Sequence, residues 1–217
     1  MDELSFKKSK NNGLFISFEG GEGSGKSTQI KLISKSLKKD NLSYILTREP
    51  GGTPVSEEIR KILVSGKVEK LDSYSELLCF TASRRQHLKE IIIPALDSGQ
   101  IVICDRYIDS TLVYQGFVGG VCTEQISKLH NDFCYNLYPD LTILLDIDPK
   151  IGLNRKKFSN LNEDRFENQN FEFHDKVRQK YLELSKLYKD RFITVDAKLD
   201  EIKIFNLIKK RIFNFFN

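Results

Sequence analysis

Apolar residues fall along the chain in two rhythms. Short unbroken runs, at Leu14–Glu19, Ser43–Arg48, Ile101–Asp105, Leu141–Asp146 and Phe192–Val195, are rich in β-branched and aromatic side chains, which predicts strands. Between them, apolar positions recur every three or four residues, predicting helices near Gly25–Lys39, Pro54–Ser65, Ser73–Asp97, Thr123–Leu137, Pro149–Lys157, Phe171–Lys189 and Asp200–Phe213. Strands that are apolar throughout and alternate with helices predict an α/β fold of three layers, a five-stranded parallel sheet covered by helices on both faces. Phe158–Asn170 breaks the pattern: it is polar, Asn-rich and without helical spacing. It reads as a short lid over about 155–170. Residues 1–12 are polar and Lys-rich and read as a flexible arm, leaving 13–217 as a single domain.

Composition adds little to this picture. Hydrophobic residues make up 40% and charged ones 29%, ordinary for a globular protein. The 34 basic residues are nearly balanced by 30 acidic ones, net +4, so no domain-wide field for a nucleic-acid polymer is expected. Cys79, Cys104, Cys122 and Cys134 form no C-x-x-C pair and the three histidines lie far apart. Reduced thiols in a cytoplasmic protein are the expectation, not a zinc site. The arm lacks the apolar segment of a secretory signal. No run approaches the roughly 18 apolar residues of a membrane span. The last segment places Ile202, Phe205, Ile208, Ile212 and Phe215 at helical spacing; a helix covering the sheet is expected there, with a membrane-lying helix as the alternative.

Candidate chemistry begins where the first strand ends. Gly20 to Ser27 satisfies G-x-x-x-x-G-K-[ST] between a strand and a helix, the context in which backbone N–H groups cradle phosphates. Gly20, Gly21, Glu22, Gly23, Ser24, Gly25, Lys26, Ser27 and Thr28 are therefore assigned to a nucleoside triphosphate. Lys26 is expected to reach the β- and γ-phosphates, with the Ser27 hydroxyl on Mg²⁺. In parallel sheets ligands collect at the carboxyl ends of strands, and those ends are charged here. The second is Arg48-Glu49-Pro50-Gly51-Gly52-Thr53. The third is Asp105-Arg106-Tyr107, followed by Ser110, Thr111, Tyr114 and Gln115; the fourth ends in Asp146 and Asp148. In Ser73–Asp97, Leu77, Leu78, Phe80, Leu88, Ile91, Ile92 and Leu96 make an apolar stripe, and Arg84 follows Phe80 by one turn. Spacing alone puts Phe80 in the core, although the pair could also stack on and hydrogen-bond a base.

These residues carry a family resemblance. F-E-G-G-E-G-S-G-K-S-T, R-E-P-G-G-T, L-L-C-F-T-A-S-R, I-C-D-R-Y-I-D-S-T-L-V-Y-Q-G, P-D-L-T-I-L-L-D-I-D-P and D-R-F-E together resemble the bacterial thymidylate kinases, from Leu14 to about Ala197. The D-R-Y-x-x-S-T-x-V-Y-Q segment is the most specific. The resemblance implies a P-loop NTPase fold, ATP and Mg²⁺ as cofactors, dTMP as substrate and a homodimer. It implies that Glu22 faces the deoxyribose, that Arg48 and Arg106 hold the dTMP phosphate, and that Phe80 stacks on thymine while Arg84 bonds its edge. Ser110, Thr111, Tyr114 and Gln115 would line base and sugar, with Tyr114 crowding out a 2′-hydroxyl. Asp105 would act near Mg²⁺, Asp164 and Glu167 match acidic residues after the lid, and Asp196, within Val195-Asp196-Ala197, would border adenine. The chain departs from the pattern in one respect. Relatives with glycine at the position of Gly23 supply a catalytic arginine from the lid, and this lid is poor in arginine; Arg155 is the first candidate, with Arg165 and Lys157 behind it.

Two other readings stay open. A deoxynucleoside kinase shares the phosphate loop and a Glu-Pro after the second strand; it would phosphorylate a 5′-hydroxyl with Glu49 as base. Arg48 beside Glu49 speaks for an acceptor that already carries phosphate. A non-catalytic nucleotide-dependent binding protein is the other; the Asn-Lys-x-Asp guanine motif of GTPases is missing from the sequence.

Overall fold

The computed structural model describes residues 13–66, 71–156 and 169–215. The predicted arm and most of the predicted lid lie outside them, as do Lys157, Asp164, Arg165 and Glu167.

Five parallel strands stand in the order β2-β3-β1-β4-β5. They are β1 (Leu14–Glu19), β2 (Tyr44–Arg48), β3 (Ile101–Asp105), β4 (Leu141–Asp146) and β5 (Phe192–Asp196), each within a residue of its predicted span. β1 is buried along its whole length, because its alternate side chains enter two separate cores. Leu14, Ile16 and Phe18 pack with Ile33 and Leu37 of α1 (Lys26–Lys39) and with Ile204, Ile208 and Ile212 of α9 (Glu201–Phe213). Phe15 enters the other core, with Val102 and Cys104 of β3, and with side chains from α3 (Ser73–His87), α6 (Thr123–Phe133) and α8 (Phe171–Leu187). The C-terminal helix is thus a cover for the sheet. Its buried stripe is Ile204–Ile208–Ile212, with Phe205 and Phe215 packed against the same core, so among the positions the spacing marked Ile202 alone is exposed. Among the described residues no helix is long and apolar enough to cross a membrane.

Two helical features depart from the expectation. The predicted helix over Ser73–Asp97 runs as α3, a π-helical stretch (Leu88–Ile92) and α4 (Ile93–Asp97). Pro94 has no N–H and would crowd the carbonyl four residues back, and a widened turn relieves both. The second helix was not expected: α5 (Ile108–Thr111) runs into a π-helical stretch (Leu112–Val118). Its β-branched residues and Gly116 are poor helix formers, and the helix is held by burial of Ile108, Leu112 and Val113 instead. The remaining helices are α2 (Pro54–Val64) and α7 (Pro149–Lys156). Thr53 caps α2 through the Ser56 amide.

A buried ion pair fixes α5 to the sheet. Arg191 donates to both carboxylate oxygens of Asp109 at 2.7 and 2.6 Å and to Thr142 Oγ1 on β4 at 2.6 Å. Asp109→Ala would leave Arg191 buried without its charge partner. It is expected to cost about 3–5 kcal/mol of unfolding free energy, as one-sided disruption of buried pairs does. Denaturant unfolding measures this, and a loss below about 1 kcal/mol, the range of surface pairs, would contradict the assignment.

Candidate functional site

The carboxyl ends of the strands open onto a cavity of about 870 Å³. On one side stands the loop between β1 and α1. Gly20, Gly23 and Gly25 hold φ of 135°, 65° and 92°, and a side chain at Gly20 would meet the Leu145 carbonyl at 2.5 Å, so glycine is needed where the backbone turns. The loop opens directly into α1, aiming that helix's N-terminal amides and its positive end at the cavity. Glu22 to Thr28 line the wall, with Ser27 and Thr28 exposed. Gly20 and Gly21 do not line it; their carbonyls accept hydrogen bonds from Lys26 Nζ at 3.0 and 3.1 Å. The expected phosphate-reaching lysine is therefore folded onto its own loop. Burial pulls its ammonium down to about 8, and the Arg106 charge adds to the effect.

The facing wall is built from β2, β3, α3 and the α5 helix. Arg48 lines it, half-exposed, and pairs with Glu57 of α2 at 2.9 Å. Arg106 has a left-handed backbone, φ 64°. Its Nη2 donates to Glu22 at 2.9 Å, and its guanidinium lies 5.5 Å from the centre of the Tyr114 ring. Phe80 is half-buried on the cavity wall and belongs to neither core, whereas Leu78 of the predicted stripe faces solvent. One turn from Phe80, Arg84 is 2% exposed and donates Nε to Glu49 at 2.7 Å and Nη2 to Thr111 Oγ1 at 2.9 Å. Gln115 lines the wall and donates to Glu76. Asp105 and Ser110 line it too. Arg155 of α7 reaches it and donates to the Ala197 carbonyl at 3.1 Å. Asp196 does not line it. Its side chain is exposed and accepts from the Lys198 amide, and Ala197 and Leu199 form the wall there instead.

Two strand-end acids turn out to be structural. Asp146 takes a two-pronged bond from Arg178 of α8 at 2.7 and 3.0 Å, and Asp148 caps α7 through the Lys150 amide. Glu49 is held between Arg84 Nε and His87 Nδ1, the latter at 3.1 Å, and His87 Nε2 meets Thr47 Oγ1 at 2.6 Å. Sequence reasoning missed this chain, since its bonded partners are 35 to 40 residues apart. It also missed Glu19, fully buried, which burial and the Asp109 charge push up to about 7.

The family model for thymidylate kinase matches residues 18–208. The chain is 47% identical to the thymidylate kinase of Magnetococcus marinus, over 85% of this chain and 88% of that protein. It is 43% identical to that of Clostridium novyi, over 92% and 98%. Its structure is similar to the crystal structure of thymidylate kinase from Ehrlichia chaffeensis, with a TM-score of 0.74 and 34% identity over 92% of this chain and 98% of that one. The chain belongs to the thymidylate kinase family. It is an ATP-dependent nucleoside monophosphate kinase, a phosphotransferase that phosphorylates thymidylate.

The kinase has a local reason for Gly23. A side chain there would meet the Gly152 carbonyl at 1.9 Å, and one at Gly152 would meet the Glu22 carbonyl at 2.2 Å. Phosphate loop and α7 are packed backbone to backbone, so no arginine fits at 23. Arg155, one turn beyond Gly152, stands on the same helix and enters the cavity. Gly152→Ala forces the two segments apart and is expected to destabilise the protein by about 1–3 kcal/mol, as overpacking does. Thermal unfolding checks this, and an unchanged midpoint would show that the contact has slack.

Proposed function

We propose that ATP lies along the phosphate loop and dTMP lies against the facing wall, so that the γ-phosphoryl passes between Lys26 and Arg106 to give ADP and dTDP. The observation that carries this assignment is one cavity lined both by the loop and by Phe80, Arg84, Arg106 and Tyr114. Arg48 and Arg106 hold the acceptor phosphate, Phe80 stacks on thymine, and Arg84 bonds its edge. Thr111 and Glu49 support the last role by fixing the Arg84 guanidinium. Glu22 meets the sugar, with Ser110, Tyr114 and Gln115 around it, and Ala197, rather than Asp196, borders adenine. Arg155 supplies the further cation.

The acceptor needs no general base. A phosphate monoester is largely dianionic at neutral pH, its second pKa being about 6, and its oxygen attacks directly. What opposes the reaction is the repulsion between two polyanions, which preorganised cations offset. Each charge-assisted contact realised in the transition state contributes about 1.5–3 kcal/mol, roughly ten- to a hundred-fold in rate. Among the described residues no three His, Cys, Asp or Glu side chains cluster as a metal cage. The Ser27 hydroxyl and the Asp105 carboxylate, both on the cavity wall, fit Mg²⁺, which takes few protein ligands and completes its shell with phosphate and water. Bound there, Mg²⁺ would neutralise charge on the donor phosphates.

The deoxynucleoside kinase reading needs a free Glu49 carboxylate. Both its oxygens face cationic or imidazole nitrogens instead, which favours the phosphorylated acceptor. Residues 13–217 are read as one kinase domain. Tyr74 and Leu78, one turn apart and more than half exposed on α3, support a homodimer that covers them. All four cysteines are free, in keeping with a cytoplasmic setting.

Calorimetric titration with dTMP and with a non-hydrolysable ATP analogue tests the two-sided assignment. Arg106→Ala is expected to weaken dTMP about ten- to a hundred-fold while the ATP analogue stays within about twofold. Lys26→Ala should do the reverse and abolish turnover. Equal losses for both ligands in either variant would contradict it.

A further inference from the structure

Glu19, the last residue of β1, has no part in the chemistry above, yet it is fully buried below the phosphate site. Its Oε1 accepts the Tyr107 amide at 2.8 Å. Its Oε2 accepts two hydroxyls, Ser110 Oγ at 2.6 Å and Tyr181 Oη of α8 at 2.8 Å. Those two oxygens are 2.8 Å apart, and Arg106 Nη1 lies 3.4 Å from the first and 3.3 Å from the second. A hydroxyl has one proton to give, and a carboxylate is the strongest acceptor within reach. With Glu19 ionised and both protons drawn to it, both oxygens present lone pairs to the Arg106 guanidinium. The carboxylate thus sets the direction of the contacts that the arginine receives, without touching it.

We propose that Glu19 and Tyr181 are positioning residues for the acceptor phosphate, acting through Arg106, whose guanidinium they hold at the end of β3. This rests on the assignment of Arg106 to that phosphate. One observation supports it beyond the hydrogen bonds. Arg106 has a left-handed backbone, φ 64°, with its amide tied to the Phe18 carbonyl at 2.9 Å; a side chain other than glycine holds such a conformation only where its surroundings over-determine it. Tyr181 also brings α8 to the site: it stands 162 residues from Glu19 and 75 from Arg106, and its ring packs near Tyr114 at 6.3 Å.

Steady-state kinetics on Tyr181→Phe, Arg106→Ala and the double variant test this. The phenyl ring keeps the packing and removes only the hydroxyl. Tyr181→Phe is expected to raise KM for dTMP about five- to twentyfold, with KM for ATP within about twofold, the range of one hydrogen bond to a charged group. In the Arg106→Ala background the same change should add nothing, because its route is gone. A selective effect of Arg106→Ala with a silent Tyr181→Phe would overturn the proposal, and so would additive effects in the double variant. A wild-type KM for dTMP in Arg106→Ala would instead overturn the assignment of Arg106 itself. Ser110→Ala, which removes the other hydroxyl, carries the same cycle if thermal unfolding shows Tyr181→Phe to be misfolded.

Discussion

Five of the cations that line the cavity at one end of the parallel sheet are each held by an oxygen of the protein. Lys26 sits on the carbonyls of Gly20 and Gly21, Arg48 on Glu57, Arg84 on Glu49, Arg106 on Glu22 and Arg155 on the Ala197 carbonyl. A site that must later join two polyanions needs this concentration of charge, and the charges repel one another until phosphate arrives. Burial lowers the pKa of Lys26 first and the Arg106 charge adds to it, while the Asp105, Glu22 and Glu19 charges act against the shift.

The pairings differ in depth, and the difference sorts them by role. Arg48 and Glu57 are half- and about one-third exposed; such pairs contribute about 0–1 kcal/mol, so phosphate can displace the carboxylate at little expense. Arg84 and Glu49 are 2% and 3% exposed, and separating them would strand a charge in the interior. The first arginine is free to change partners, and the second is fixed in place. A fixed guanidinium suits the reading of a base edge, where direction matters, and an exchangeable one suits the capture of a phosphate. Arg106 stands between, with one nitrogen on Glu22 and the other on two hydroxyls that Glu19 orients.

The strands were legible because both of their faces are buried, which leaves an unbroken apolar run in the sequence. The phosphate loop was legible because its spacing is itself the device. Other features left no local trace. The α5 helix is made of residues that favour strands and turns, and burial overrides their preference. Phe80 and Leu78 share a helix and an apolar character, yet one lines the cavity and the other faces solvent, a choice made by what α3 packs against. The partners of Glu49 and Glu19 are brought in by topology from elements far along the chain, so Glu49 read as a candidate base and Glu19 only as the end of a strand. Gly152 is unremarkable in sequence and acquires a reason only when the phosphate loop is seen against it.

ADP release from Mg-ATP, with dTMP, dCMP and thymidine offered separately as acceptors, tests most directly whether this edge of the sheet joins two phosphates. Turnover with dTMP, little with dCMP and none with thymidine is the predicted result, since the proposed assignment gives Arg48 and Arg106 an acceptor phosphate to hold and Glu49 bonds to Arg84 and His87. Turnover with thymidine but not with dTMP would contradict it and make Glu49 the catalytic acid–base group.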